Sequence, residues 1–60
     1  MANYTFNSLD RSETLRSSCE LEVPTDEEAR AVAEGLLSDE EFHIIELRKH
    51  TTVICRLVRA

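Results

Sequence analysis

The chain has 60 residues, a formal net charge of −5 and 42% hydrophobic residues, with one glycine and one proline. This length suffices for one small domain, residues 1–60, and excludes a catalytic domain joined to a substrate domain. The composition excludes a glycine-rich phosphate loop, and there is no run of about 20 apolar residues to span a membrane.

Two strands are predicted in the first part of the chain. Residues 4–6, Tyr-Thr-Phe, form a short candidate strand, and the polar residues that follow fit a loop. From residue 15 to residue 23 apolar and polar side chains alternate, with the apolar side formed by Leu15, Cys19, Leu21 and Val23. This period of two predicts a half-buried strand. We expect it to end at Pro24, because proline has no N–H to donate to a sheet.

A helix is predicted to follow. Thr25 is a suitable N-cap, and Glu28 three residues later completes a capping box. Apolar residues then recur at helical spacing on a single stripe, namely Ala29, Val32, Ala33, Leu36 and Leu37. Gly35 costs about 1 kcal/mol relative to alanine inside a helix. We therefore expect it to allow close packing or to mark the end of the helix.

Residues 38–50 fit either a second helix or a strand. Ser38 and Glu41 resemble a capping box, but the apolar residues from 42 to 47 do not form a helical stripe. Residues 51–58 are strongly β-prone, which favours a hairpin partner directly before them. We expect a loop around residues 49–51 and a register in which His43, Ile45 and Leu47 lie opposite Leu57, Cys55 and Val53.

Together these elements predict an α+β fold in the order β(β)αββ, a small antiparallel sheet of three to four strands with one helix on one face. A single helix covers one face of such a sheet. The other face of the hairpin is then expected to carry an apolar patch formed by Phe42, Ile44, Ile54 and Val58. Contiguous exposed apolar patches mark interfaces, and a symmetric homodimer would bury this one. Alternatively, the N-terminal segment with Tyr4 and Phe6 covers it.

A second candidate interface is acidic and flanks the predicted helix. It consists of Asp26, Glu27, Glu28, Asp39, Glu40 and Glu41. Complementation of the helix dipole and solubility explain such residues without a function. The functional interpretation is an anionic surface that steers a basic partner, or that mimics nucleic-acid phosphate.

The C-terminal part of the chain is basic. Residues 20–46 carry ten acidic residues and one basic residue, whereas residues 47–60 carry four basic residues and no acidic one. Direct nucleic-acid contact would use these basic residues, Arg48, Lys49, Arg56 and Arg59. The negative charge of the whole chain counts against such contact.

The cysteines and histidines do not predict a metal site. Cys19, Cys55 and His43 are expected on the core side, but the close pairs typical of structural zinc sites do not occur. We therefore expect no metal and no cofactor, and buried cysteines that act as small apolar residues. Two distant cysteines do not make a disulfide framework, and the first residues do not resemble a secretory signal. We expect a reducing, cytoplasmic location.

The function expected from the sequence is that of a non-enzymatic protein–protein interaction module, a small acidic regulator or inhibitor that forms homodimers. The apolar face would supply affinity, and the acidic surface would supply orientation. One alternative is a nucleic-acid mimic that inhibits a DNA- or RNA-binding protein. The other is direct nucleic-acid contact through the basic hairpin.

Overall fold

The computed structural model describes residues 2–59. It contains strands β1 (Ala2–Leu9) and β2 (Leu15–Val23), helix α1 (Asp26–Leu36), and strands β3 (Ile44–Lys49) and β4 (Thr52–Val58). The strands form one antiparallel sheet in the order β2-β1-β3-β4. The predicted α+β class and element order are confirmed. The first strand is longer than the three residues predicted, because it continues through the polar residues that follow Phe6.

Helix α1 begins as the capping pattern predicts. The Thr25 hydroxyl oxygen accepts a hydrogen bond from the backbone N–H of Glu28 at 3.2 Å. Ala29 and Ala33 are fully buried, and the other three residues of the predicted stripe pack against the same core.

The core lies between α1 and the two central strands. Its largest fully buried side chains are Tyr4 and Phe6 from β1 and Ile45 and Leu47 from β3. Because β1 is inserted between β2 and β3, Tyr4 and Phe6 belong to the sheet and point to the helix side. The alternative in which these two residues cover the opposite face is therefore wrong.

The hairpin of β3 and β4 confirms the strand interpretation of residues 44–49, but the predicted register is wrong by two residues. Ile45 pairs with Leu57, and Leu47 pairs with Cys55. One residue of the difference arises because the turn contains only His50 and Thr51 between the strands. The other arises from an irregularity that leaves Ile54 as an extra residue in β4. Since side chains alternate with a period of two, the shift of two keeps Ile45, Leu47, Cys55 and Leu57 on their predicted face. Val53 lies beyond the extra residue, pairs with Arg48 and so changes face.

Gly35 lies in the last turn of α1. A Cβ atom added to it would meet no other atom within 4 Å, so close packing does not require glycine here. Its carbonyl oxygen accepts hydrogen bonds from the backbone N–H and the hydroxyl of Ser38. Of the two roles expected for Gly35, only the position at the helix end is compatible with this arrangement.

Candidate interaction surfaces

The predicted apolar face of the hairpin is not a single exposed patch. Phe42 and Ile54 pack against the core on the helix side. Ile44 is only 5% exposed, and Val58 alone is largely exposed, at 58%. Phe42 precedes β3, so the alternation of side chains along that strand does not apply to it. Ile54 is the extra residue of β4, and its side chain therefore reaches the core. The predicted placement of Phe42 and Ile54 is therefore wrong, whereas Ile44 and Val58 pair with each other on the face opposite the helix, as predicted.

The face opposite the helix is mainly polar. Glu46 lies directly opposite Arg56, where the predicted register placed them diagonally, and its carboxylate is 3.3 Å from the guanidinium of Arg48. Arg56 also contacts the carboxylate of Glu13 at 2.6 Å. On the neighbouring strand, Asn7 accepts a hydrogen bond of 2.7 Å from the hydroxyl of Ser18. A network of charges and hydrogen bonds thus occupies much of the face on which an apolar interface was expected, beside Ile44 and Val58.

The six acidic residues are exposed, as expected, but they form two groups. The groups lie at opposite ends of the 11-residue helix α1, which rises about 1.5 Å per residue and so separates them by roughly 16 Å. The carboxylate of Asp39 accepts the backbone N–H of Glu41 at 3.0 Å, and that of Glu41 is 3.8 Å from Arg16. Several of these residues therefore have structural partners within the chain.

Asp26 joins the first acidic group to the core. The buried hydroxyl of Tyr4 donates a hydrogen bond to its carboxylate. This hydrogen bond raises the pKa of Tyr4, and burial and the negative charge of Asp26 raise that pKa further. The ammonium group of Lys49 lies 5.7 Å from the centre of the Tyr4 ring, within the range of a cation–π interaction. The hydrogen bond between Asp26 and Tyr4 thus links α1 to β1, although Asp26 is also an exposed acidic residue.

The four basic residues of the C-terminal segment all contact groups of their own chain. Arg59 donates to the carbonyl oxygens of Leu37, Asp39 and Phe42, at 2.6 Å to Asp39 and 3.1 Å to Phe42. The remaining three contact acidic side chains, a carbonyl oxygen or the Tyr4 ring; they are Arg48, Lys49 and Arg56. Through these hydrogen bonds Arg59, the residue after β4, contacts the segment that follows α1. These contacts argue against a basic surface prepared for nucleic acid.

The cysteines differ in exposure. Cys55 is half-buried on the helix side, opposite Leu47, as its predicted face requires. Cys19 lies opposite Phe6 but is exposed, so the expectation that it is buried is wrong. Half-buried His43 uses its backbone groups to join Leu9 and Arg59. Among residues 2–59 no three potential metal ligands cluster together.

The most exposed element of the molecule is β2. Every residue from Leu15 to Glu22 is exposed, and only Val23 is buried. The strand lies at an edge of the sheet and pairs with β1 alone. Its apolar residues remain accessible, with Leu15 at 57% and Leu21 at 44% exposure. The strand predicted from residue 15 to residue 23 is confirmed, but the half-burial expected for it is wrong except at its last residue.

The geometry of the sheet explains this exposure. A helix with its side chains is about 10–12 Å wide, whereas neighbouring strands are about 4.8 Å apart. One helix therefore covers two or three strands, and the edge strand β2 lies beyond it. The sequence predicts up to four strands and one helix, which implies that part of the sheet is left uncovered. It does not identify the strand that is left uncovered.

The described part of the chain has no pocket in which a small ligand would be enclosed. Its helix is not of the length and apolarity needed to cross a bilayer. Comparison with protein-family models, with curated proteins and with solved structures found no match to this chain.

Proposed function

We propose that the protein is a non-enzymatic interaction module that binds another protein through the edge and the exposed side chains of β2. The observation that carries this proposal is a nine-residue edge strand exposed on both faces along eight of its residues. An edge strand presents a row of unpaired N–H and C=O groups that a strand of another protein can pair with. This mode of binding is known as β-strand addition.

The two faces of β2 offer different contacts to a partner. On the helix side, Leu21 and Cys19 lie beside the buried residues of β1 and offer apolar contact. On the other side, Glu20 and Glu22 are exposed and favour a partner that carries basic residues at the matching positions. Main-chain hydrogen bonds would supply affinity, and these side chains would supply specificity.

A module of this kind regulates or inhibits its partner by occupying a strand edge that the partner needs elsewhere. We place this activity in a reducing compartment such as the cytoplasm, since both Cys19 and Cys55 are free thiols. This interface lies at the opposite edge of the sheet from β4, away from the hairpin face expected from the sequence.

The test compares two substitutions of equally exposed apolar residues on the two edge strands. Leu21→Arg changes β2, and Val53→Arg changes β4, where Val53 is 48% exposed. Both variants should fold, because neither side chain belongs to the core. Immobilised wild-type protein and Val53→Arg should capture the same partner from a lysate, and Leu21→Arg should lose it. Equal capture by Leu21→Arg, or equal loss in both variants, would contradict a role for β2.

The acidic residues support a second proposal, in which the protein mimics nucleic-acid phosphate. Six exposed carboxylates at the two ends of α1 favour a basic partner, although their separation limits how many can act together. Glu27→Gln, Glu28→Gln and Glu40→Gln combined should then weaken capture and reduce its dependence on salt. Capture that is unchanged by this triple variant would leave β2 as the binding element and exclude the mimic.

A further inference from the structure

We propose that the loop between β1 and β2, residues 10–14, is a strap that closes over Ile44 on the face of the sheet opposite α1 and opens while the sheet stays folded. The strap is independent of the proposed binding edge, because it reaches β4 at the other side of the sheet. Three features support it, namely a buried residue on the face without a helix, a single polar contact that holds the loop, and an irregular pairing at its base.

Ile44 is buried on the face opposite α1. It is only 5% exposed, yet it lies outside the core cluster beneath the helix. It pairs with Leu9 and Val58, and Leu9 pairs with Leu15, so one apolar residue from each strand lies in a row across this face. The ends of the row are open, since Leu15 and Val58 are 57% and 58% exposed. Burial of Ile44 between two open ends points to a cover above the middle of the row.

The strap reaches across this row to β4. The carboxylate of Glu13 lies 2.6 Å from the guanidinium of Arg56. Arg56 follows Cys55, which packs on the helix side, so the side chain of Arg56 lies on the same face as Ile44. Neighbouring strands are about 4.8 Å apart, and β3 separates β1 from β4. A contact between the loop that leaves β1 and Arg56 of β4 therefore passes over β3, on the face where Ile44 lies.

A single polar contact fastens the strap to the rest of the molecule. Within residues 2–59, its remaining hydrogen bonds run among its own residues. One carboxylate oxygen of Asp10 accepts the backbone N–H groups of Ser12 and Thr14 and the hydroxyl of Ser12, at 2.7–3.0 Å. The ion pair that remains is exposed, with Arg56 at 45% and Glu13 at 62%. Since exposed ion pairs stabilise only weakly, the strap is ordered internally but held loosely.

Glu13 is an unusual residue for its conformation. Its φ of 65° lies in the left-handed region, which glycine adopts without steric cost and glutamate does not. Glycine at this position would relieve the backbone, but it would lack the carboxylate that contacts Arg56. The side chain of Glu13 thus stabilises the closed strap while the strain of its backbone opposes that state. Such a balance is typical of a segment that switches between two positions.

The base of the strap and the partner of its ion pair both permit opening. The pairing of β1 with β2 is irregular beyond Ser8, where Arg16 is an extra residue of β2, so the strap joins the regular sheet through a distorted pair. After release of Glu13, Arg56 retains an acidic neighbour, because Glu46 lies directly opposite it on β3. Opening therefore leaves Arg56 paired and requires no change in the regular part of the sheet.

Thiol labelling measures the opening at the covered residue. Ile44→Cys is placed in a chain that carries Cys19→Ser and Cys55→Ser, and its reaction with a maleimide is followed by mass spectrometry. Addition of Glu13→Gln should raise the labelling rate about two- to fivefold, the range for the loss of an exposed ion pair. High salt screens the same pair and should accelerate labelling only in the chain that retains Glu13.

Two control variants separate opening of the strap from unfolding of the sheet. Ile45→Cys, in the same background, marks the adjacent, fully buried residue on the helix side. It should label more slowly, and Glu13→Gln should not change its rate. Glu20→Gln removes an exposed acidic side chain outside the strap and should leave the labelling of Ile44→Cys unchanged. Equal labelling at positions 44 and 45, or no effect of Glu13→Gln on Ile44→Cys, would overturn the strap.

The wild-type chain provides a test that needs no cysteine variant. Protons of residues 10–14 should show nuclear Overhauser effects to the methyl groups of Ile44. These effects should weaken in Glu13→Gln, while those between the paired residues Phe6 and Leu47 persist. A wild-type chain without contacts between residues 10–14 and Ile44 would show that another group buries this side chain, and it would contradict the proposal.

Discussion

Strands β1 and β2 are paired along their length, yet they differ sharply in burial. Phe6 of β1 is fully buried, while Cys19 directly opposite it is exposed. Tyr4 is 1% exposed, and its neighbour Leu21 is 44% exposed. The two strands share one face of one sheet, so alternation alone does not decide burial. What differs is the place of each strand in the sheet, because β1 is central and β2 lies at an edge.

The largest expected difference between the two strands is in stability. Phe6→Ala removes a fully buried ring and should destabilise the fold by about 3–5 kcal/mol, while Leu21→Ala should cost about 1 kcal/mol or less. Urea denaturation followed by circular dichroism measures both. If Phe6→Ala does not fold, Phe6→Leu gives a smaller cost that still exceeds that of Leu21→Ala. Equal costs at the two positions would mean that β2 is covered as well as β1.

A second expected effect concerns the hydrogen bonds that Arg59 donates to the segment after α1. Arg59→Ala leaves three carbonyl oxygens, those of Leu37, Asp39 and Phe42, without their charged donor. We expect a loss of about 2 kcal/mol in the free energy of unfolding. Arg59→Lys should recover only part of it, since one ammonium group does not reproduce the planar fork of donors. Full recovery with lysine would show that charge alone matters at this position.

A smaller gain is expected at the end of α1. Gly35→Ala should stabilise the protein by about 0.5–1 kcal/mol, because alanine favours the helix and the added methyl group enters open space. The matched control is Ala31→Gly, an exposed position of the same helix, which should cost a similar amount. A loss of stability in Gly35→Ala would indicate a contact at this position beyond those of the single chain.

The smallest effect on stability is expected at alkaline pH and involves Tyr4 of β1. The pKa of Tyr4 is raised in the folded state, chiefly by its hydrogen bond to Asp26. The corresponding stability is present below the usual tyrosine pKa of about 10 and is lost as the pH rises through the raised value. Tyr4→Phe should remove this part of the alkaline loss. Thermal unfolding from pH 8 to pH 11 measures it, and identical profiles would contradict the role of the hydrogen bond.

Local patterns in the sequence predict several elements well. The capping pair Thr25 and Glu28, the apolar stripe of α1 and the strand from 15 to 23 each depend on neighbouring residues. The bounds of β1 are harder to predict, because Asn3, Asn7 and Ser8 interrupt its apolar pattern. Local order is thus encoded in short segments and can be read without the rest of the chain.

The predictions that are wrong depend on long-range or irregular features. The register of the hairpin requires knowledge of the tight turn, where His50 adopts a positive φ of 57° without being glycine or asparagine, and of the extra residue Ile54. The exposure of Leu21 depends on the placement of β1 between β2 and β3. The predicted face of Ile54 was wrong because it is this extra residue, and that of Phe42 because it precedes β3. The interface proposed on β2 stays a prediction.

The central position of β1 has a consequence for the kinetics of folding. β1–β2 and β3–β4 are local hairpins, and isolated hairpins form in about 1–10 μs. The sheet is complete only when β1 docks on β3, which joins Tyr4 to Lys49 across most of the chain. Closing so long a loop is entropically costly and slows folding. We expect docking of the two preformed hairpins to limit the folding rate, with the edge of β1 that pairs with β3 unpaired until it occurs.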